Sequence, residues 1–177
     1  MVKRLLKFFA YLLFFVVALM FFMPKVSLYH FAETQIKPFG VIFSNERVED
    51  SGFTLKIEDT SVSMKKIPSA EIEMIEMKIW GVYNTIDIKN IVLSKAVKSF
   101  APINIDKINV SYTILNPLNI TAYAEGGFGV AKATVDIVER KLHVDMEPSK
   151  IMKKKYRQTL RNLKKTKGGG YTYDENF

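Results

Sequence analysis

Sixteen consecutive uncharged residues, Phe8 to Met23, constrain this chain more than any other feature. With Lys7 snorkelling its amine toward headgroups, the run becomes the nineteen residues Leu5 to Met23. At ~1.5 Å per residue in a helix it reaches roughly 28 Å, close to the ~30 Å hydrocarbon core of a bilayer. As a soluble core helix, a segment apolar on every face would need protein on all sides. A cleaved signal peptide is the nearer alternative, but its apolar region runs about 7–15 residues and ends at a small-x-small site. Here the run is longer and closes on Phe21, Phe22, Met23 and Pro24. The sequence therefore predicts an uncleaved anchor, residues 1–24, with Phe8, Leu12, Phe15, Leu19 and Phe22 among its lipid-facing side chains. Lys3, Arg4 and Lys7 precede the span and only Lys25 follows it closely, which holds the amino end in the cytoplasm. The remainder is then expected in the periplasm of a double-membraned bacterium, giving a single-pass protein of the inner membrane.

The distribution of charge matters more than its total of +8. From Lys25 to Pro148 there are 14 Lys and Arg against 16 Asp and Glu, so the body sits at −2. That argues against nucleic acid as a partner. The basic excess lies at the two ends, including nine Lys and Arg between Lys150 and Lys167. Cysteine is absent, which removes disulfides, thiolate metal sites and cysteine nucleophiles together.

After the anchor, Ser27 is a candidate cap for a juxtamembrane helix within residues 25–39, stopped by Pro38 and Gly40. From there the hydrophobic period becomes two. Phe53, Leu55 and Ile57 alternate with Thr54, Lys56 and Glu58, and Ile72 and Met74 with Glu71 and Glu73. The phase then slips to Met77 and Ile79, which predicts a bulge near Ile75. Alternation continues through Ile86 and Ile88, then Ile108 to Ile114, Leu118 to Ala122, Val135 to Ile137, and Leu142 to Met146. Turn chemistry separates the runs at Asp50-Ser51-Gly52, Ile67-Pro68-Ser69, Asn116-Pro117, Gly126-Gly127 and Glu139-Arg140-Lys141. A short helix is expected from about Ser94 to Phe100. Too few residues lie between the runs for parallel crossovers. The fold class is therefore mainly β: a transmembrane helix followed by a curled antiparallel meander over residues 40–148, with short flanking helices and a basic C-terminal helix.

That last helix, residues 149–167, places Met152, Tyr156, Leu160 and Leu163 on one stripe. Our first reading packs the stripe on the sheet and leaves the charges in water. The second lays Lys153, Lys154, Lys155, Arg157, Arg161, Lys164 and Lys165 on anionic headgroups, each adding on the order of 1 kcal/mol. Gly168-Gly169-Gly170 forms a hinge, and the residues to 177 are either a disordered end, the reading we favour, or a strand at Tyr171-Thr172-Tyr173.

Catalytic chemistry finds no purchase in this sequence. His30 and His143 are read as surface side chains without identifiable metal or nucleophile partners. Glu71, Glu73 and Glu76 look like solvation of a polar strand face. Gly126-Gly127-Phe128-Gly129 lacks the Lys-Ser/Thr and helix of a phosphate loop. We expect no enzyme, no cofactor and no metal.

Several stretches taken together resemble the type II secretion system protein N family, whose β-rich portion is in turn similar to AsmA-like envelope proteins. They are the anchor, Leu28-Tyr29, Ile36-Lys37-Pro38-Phe39-Gly40-Val41, Gly52-Phe53-Thr54-Leu55, Ala124 to Gly129, and Arg140 to Val144 leading to Glu147-Pro148-Ser149. The resemblance implies a bitopic accessory or scaffold component of a secretion machinery, with other envelope proteins as partners. The alternative it implies is a lipid-handling module whose apolar sheet face shields phospholipid acyl chains.

Overall fold

A computed structural model describes residues 2–96, 102 and 104–177. Helix α1, Val2–Phe21, is 20 residues long and has no buried residue. At ~1.5 Å per residue it measures about 30 Å, long enough and apolar enough to cross a membrane. Phe8, Leu12, Phe15 and Leu19 lie on it and are exposed; Phe22 falls just past its end and is also exposed.

Helix α2, Lys25–Ile36, follows almost at once. It starts two residues before the expected cap at Ser27, because Pro24 already supplies a helix-compatible φ of −75°. A 3-10 turn, Lys37–Phe39, ends on Gly40 in the left-handed conformation, so the expected stop holds.

Eleven strands then form one antiparallel sheet. They are β1 (Val41–Ser44), β2 (Arg47–Asp50), β3 (Thr54–Met64), β4 (Ile67–Ile79), β5 (Tyr83–Leu93), β6 (Asn104–Thr113), β7 (Asn119–Gly126), β8 (Gly129–Asp136), β9 (Lys141–Pro148), β10 (Lys164–Lys165) and β11 (Tyr171–Asn176). From β3 to β9 each strand pairs with the next, the meander expected from runs joined by short turns. Strands β1 and β2 share the outer edge of β3, and β11 adds to β9 with β10 beyond it.

Residues directly opposite in an antiparallel ladder project to the same face. Two transverse rows therefore run across eight strands. One is Leu55, Met77, Ile86, Val110, Ala122, Ala133, Val144, Tyr173; the other is Ile57, Ile75, Ile88, Ile108, Ala124, Ala131, Met146, Tyr171. Both are apolar throughout. The rows between them are polar and carry Lys56, Glu76, Asp87, Asn109, Tyr123, Lys132, Asp145 and Thr172 on the other face. One face of the sheet is thus greasy and the other wet.

The core occupies the β3–β6 part of the greasy face. Leu55, Ile57, Ile72, Ile75 and Ile91 are buried there together with Tyr29 of α2, and Val26 packs against them. Each fully buried aliphatic side chain contributes about 1.5–3 kcal/mol of transfer free energy.

Some sequence expectations need correction. The phase slip near Ile75 is real but is no lone bulge in β4. Glu58 pairs with Met74 and Thr60 with Ile72, so no residue is inserted there. Asp59 on β3 and Asn90 on β5 take positive φ, 56° and 52°, a conformation that short polar side chains tolerate. Both flank Glu73, and the inward set changes phase across neighbouring strands at one level: Ile57 to Thr60, Ile75 to Ile72, Ile88 to Ile91. Ile72 and Ile75 face in, not Ile72 and Met74. The residues Ile67-Pro68-Ser69 begin β4, while the turn itself is Lys65-Lys66 with φ of 50° and 67°. The helix expected from Ser94 to Phe100 reaches into 97–101, outside the described residues.

The C-terminal basic helix is in two pieces, α3 (Lys150–Lys155) and α4 (Arg157–Arg161), broken at Tyr156 with φ −116° and ψ 37°. Its expected continuation to 167 is instead strand β10. The Gly168-Gly169-Gly170 turn, with Gly169 at φ 83°, reverses the chain so that Thr166 N–H donates to Gly170 O at 2.9 Å. The favoured disordered end is therefore replaced by β11, which pairs along the length of β9.

Candidate functional site

Three features of the fold bear on function, and the first is the junction between α1 and the sheet. Lys25 is buried, its side chain fully so, which is rare for a lysine. Its Nζ donates to Phe21 O and Met23 O, both at 3.2 Å, and lies 3.6 Å from Asp50 Oδ1. A cation thus sits on the last carbonyls of α1, at the negative end of its dipole, and ties them to the β2–β3 turn. Phe21 meets Phe53 edge-on with centroids 5.4 Å apart, and Phe53 stacks on Trp80 at 5.1 Å. Gly52 permits this approach: a Cβ there would lie 2.2 Å from the Phe21 ring. Sequence reasoning placed Lys25 only as a flanking charge and missed this role, since Asp50 comes to it through the fold.

The second feature is the greasy face beyond the core. The buried cluster that includes Tyr29 of α2 extends, through partly buried neighbours, as far as Ile105 and Ile108 on β6. Past that point Val110, Ala122, Ala124, Ala131, Ala133, Val144 and Met146 are half-buried and belong to no buried cluster among the described residues. The four alanines lie on the adjacent strands β7 and β8, between Ile108 and Val110 on one side and Val144 and Met146 on the other. Small side chains between larger ones set a trough in this face that follows the strands, its β6 and β9 walls three strand spacings or about 14 Å apart. At the far end β6 and β7 approach closely: a Cβ on Gly126 would stand 2.7 Å from Cα of its partner Ile105.

The third feature is the basic tail. Ser149 caps α3, accepting from Met152 N–H at 3.1 Å and donating to Gly127 O at 2.7 Å. Met152 and Leu160 are each only 3% exposed, and Tyr156 and Leu163 are half-buried. The stripe is therefore packed, as in the first of the two readings. Lys153, Lys154, Lys155, Arg157, Arg161, Lys164 and Lys165 are all exposed. Lys153, Arg157, Arg161 and Lys165 surround a hollow floored by Leu160, Leu163 and Tyr171. α3 begins where β9 ends, eight residues or roughly 23 Å from the turn at Arg140. That is the end of the sheet away from α1.

Both histidines have partners that the sequence did not disclose. His143 Nδ1 lies 2.7 Å from Asp174 Oδ1 and Nε2 lies 3.2 Å from Asp145 Oδ2, linking β9 to β11. The Asp174 hydrogen bond, aided by Asp145, raises the imidazole above its ordinary pKa and holds Asp174 below the usual carboxylate range. His30, Glu33 and Glu46 bring ligand-type atoms within 4.8 Å of one another. Glu33 is already shared, at 3.4 Å each, between His30 and Lys37, so the group reads as an ion-paired cluster. Burial, then the Glu46 and Glu33 charges, push the Tyr29 hydroxyl above the ordinary tyrosine range.

Comparison with known proteins gives no match to a family model, a curated protein or a solved structure.

Proposed function

We propose that this chain is a non-catalytic, membrane-anchored carrier surface for phospholipid acyl chains, held by α1 in the inner membrane with its sheet in the periplasm. The half-buried apolar face of β6–β9 carries this reading. A soluble domain gains about 25 cal/mol for each Å² of apolar surface it removes from water, so two long rows of aliphatic side chains left half-exposed favour an occupant. The occupant that suits a featureless aliphatic trough is a hydrocarbon chain, since it needs no hydrogen-bond partners and the trough offers none. The trough also runs lengthwise from the end of the sheet that carries the anchor. At its other end, the hollow ringed by Lys153, Arg157, Arg161 and Lys165 has the charge and apolar floor to meet an anionic headgroup.

Orientation rests on Lys3, Arg4 and Lys7 ahead of the span. Of the two functions that the family resemblance implies, lipid handling has a specific surface behind it, whereas the secretion scaffold draws on the anchor alone.

The test is photo-crosslinking in intact bacterial envelopes, with a photoreactive amino acid at Ala124 on the trough or Thr121 on the opposite face. Phospholipid adducts from position 124 and none from 121 are expected. Protein adducts from 124 without lipid would reverse the choice in favour of an assembly component.

A further inference from the structure

We infer that the turns at the α1 end of the sheet are themselves membrane-embedded, so that the domain stands on the bilayer by its β4–β5 and β6–β7 turns as well as by the helix. In a meander, alternate turns fall at the same end. The β2–β3, β4–β5 and β6–β7 turns are stitched there by backbone hydrogen bonds, Ile79 N–H to Phe53 O at 3.0 Å and Ile114 N–H to Val82 O at 3.0 Å. This is also where α1 arrives. Phe21 packs on Phe53, and Met20 reaches Gly81, where a Cβ would stand 2.4 Å from the methionine methyl.

The side chains at these turns point into solvent although they are apolar. Trp80, Val82 and Tyr83 are 54%, 51% and 53% exposed, and Ile114, Leu115 and Leu118 are 53%, 87% and 50% exposed. Neither Ile79–Asn84 nor Thr113–Ile120 contains a charged residue. A turn facing water normally carries polar or charged residues, whereas the tip of the β6–β7 turn presents the almost fully exposed Leu115. At the opposite end Met64 and Ile67 are exposed too, but they flank Lys65 and Lys66.

The position of α1 selects the partner for this fringe. Its last turn lies against Phe53 and Gly81, so the headgroup boundary that α1 leaves is the layer in which Trp80 and Tyr83 stand. Tryptophan and tyrosine favour that layer, where an apolar ring and a polar handle are both satisfied. β4 and β7 are three strand spacings apart, about 14 Å, so the fringe gives the domain a footprint wider than a helix alone. The inference needs only α1 in a bilayer and stands apart from the acyl-chain reading.

Trp80 is the only tryptophan, so the native chain reports its own depth. The full chain is reconstituted into phosphatidylethanolamine and phosphatidylglycerol vesicles containing lipids brominated near the glycerol or near the chain end. Trp80 fluorescence should be quenched most by the shallow bromines. In a Trp80→Phe background, Leu115→Trp should behave alike, and both should be quenched about twofold or more beyond Phe39→Trp at the far end, as interfacial residence requires. Equal, weak quenching of Trp80, Leu115→Trp and Phe39→Trp would overturn the inference. So would a chain that fails to enter vesicles, and that result would remove the anchor with it. Lipid crosslinking in the trough would be untouched by the first outcome.

Discussion

Replacing Lys25 by methionine keeps the length and apolar stem of the side chain and removes only its ammonium. The geometry fixes what is lost. Two hydrogen bonds of 3.2 Å to Phe21 O and Met23 O disappear, together with the 3.6 Å approach to Asp50. Hydrogen bonds to a charged group are worth about 1.5–3 kcal/mol each, and a cation at a buried helix C-terminus up to ~2 kcal/mol. Against this stands the desolvation of the ammonium, several kcal/mol, which the methionine variant no longer bears. Asp50 keeps the Gly52 N–H at 2.9 Å and is 29% exposed, so it is not left stranded. The balance is a loss of about 2–3 kcal/mol for Lys25→Met. Asp50→Asn should cost about 1 kcal/mol, with a coupling of similar size between the two positions. The assay is urea unfolding of the full chain in vesicles, followed by Trp80, which stacks on Phe53 beside the junction. A Lys25→Met chain within about 0.5 kcal/mol of the parent, the range of an ordinary surface substitution, would show that Lys25 does not join helix to sheet.

The His143–Asp174 pair should make the β9–β11 pairing dependent on pH. The imidazole is raised in the fold, so its contribution is complete below about pH 6.5, the unfolded value, and fades as pH rises through the folded one. Asp174 is lowered, so its contribution is present above about pH 3.9 and fades as pH falls through the folded value. Protection of the Tyr171–Asn176 amides, with the intrinsic base-catalysed exchange rate divided out, should be greatest between those limits and smaller at pH 8, with the difference absent in His143→Gln. Lys65 and Lys66 both hold positive φ, where side chains other than Gly and Asn are disfavoured by about 1–2 kcal/mol. The pair Lys65→Asn, Lys66→Gly should therefore raise stability by roughly 1 kcal/mol in the same urea titration. Gly129 has φ 118°, and a Cβ there would meet Glu147 O at 2.1 Å. Backbone must move to admit it, so Gly129→Ala should lose at least about 2 kcal/mol and loosen the β8–β9 hairpin, read by amide exchange.

The anchor and the alternation were readable because each is a local pattern: a run of uncharged residues, or a period of two. Ile57 and Ile108 reveal their facing from their neighbours alone. The partners of Lys25 and His143 were hidden because Asp50 and Asp174 lie 25 and 31 positions away, the first brought close by the meeting of α2 with the β2–β3 turn and the second by the β9–β11 register. The Lys65-Lys66 turn was missed since lysine carries no turn signal, and Ile67-Pro68-Ser69, which does, begins the strand instead. The tail escaped for a related reason. Its hydrophobic stripe fits one helix, and the turn back of the chain shows only in the pairing of Tyr171–Asn176 with β9. The trough itself was half visible, because the alternating alanines of β7 and β8 are in the sequence, but their alignment into one groove depends on the ladder that sets Ala122 opposite Ala133 and Ala124 opposite Ala131.

The most direct test is the lipid content of the full chain after gentle extraction, measured by native mass spectrometry on the parent and on Ala122→Trp, Ala133→Trp. Phospholipid bound to the parent, and lost when the two indoles fill the trough while stability followed by circular dichroism in urea is kept, is the predicted result. A lipid-free parent, or lipid retained undiminished by the filled variant, would contradict the proposal.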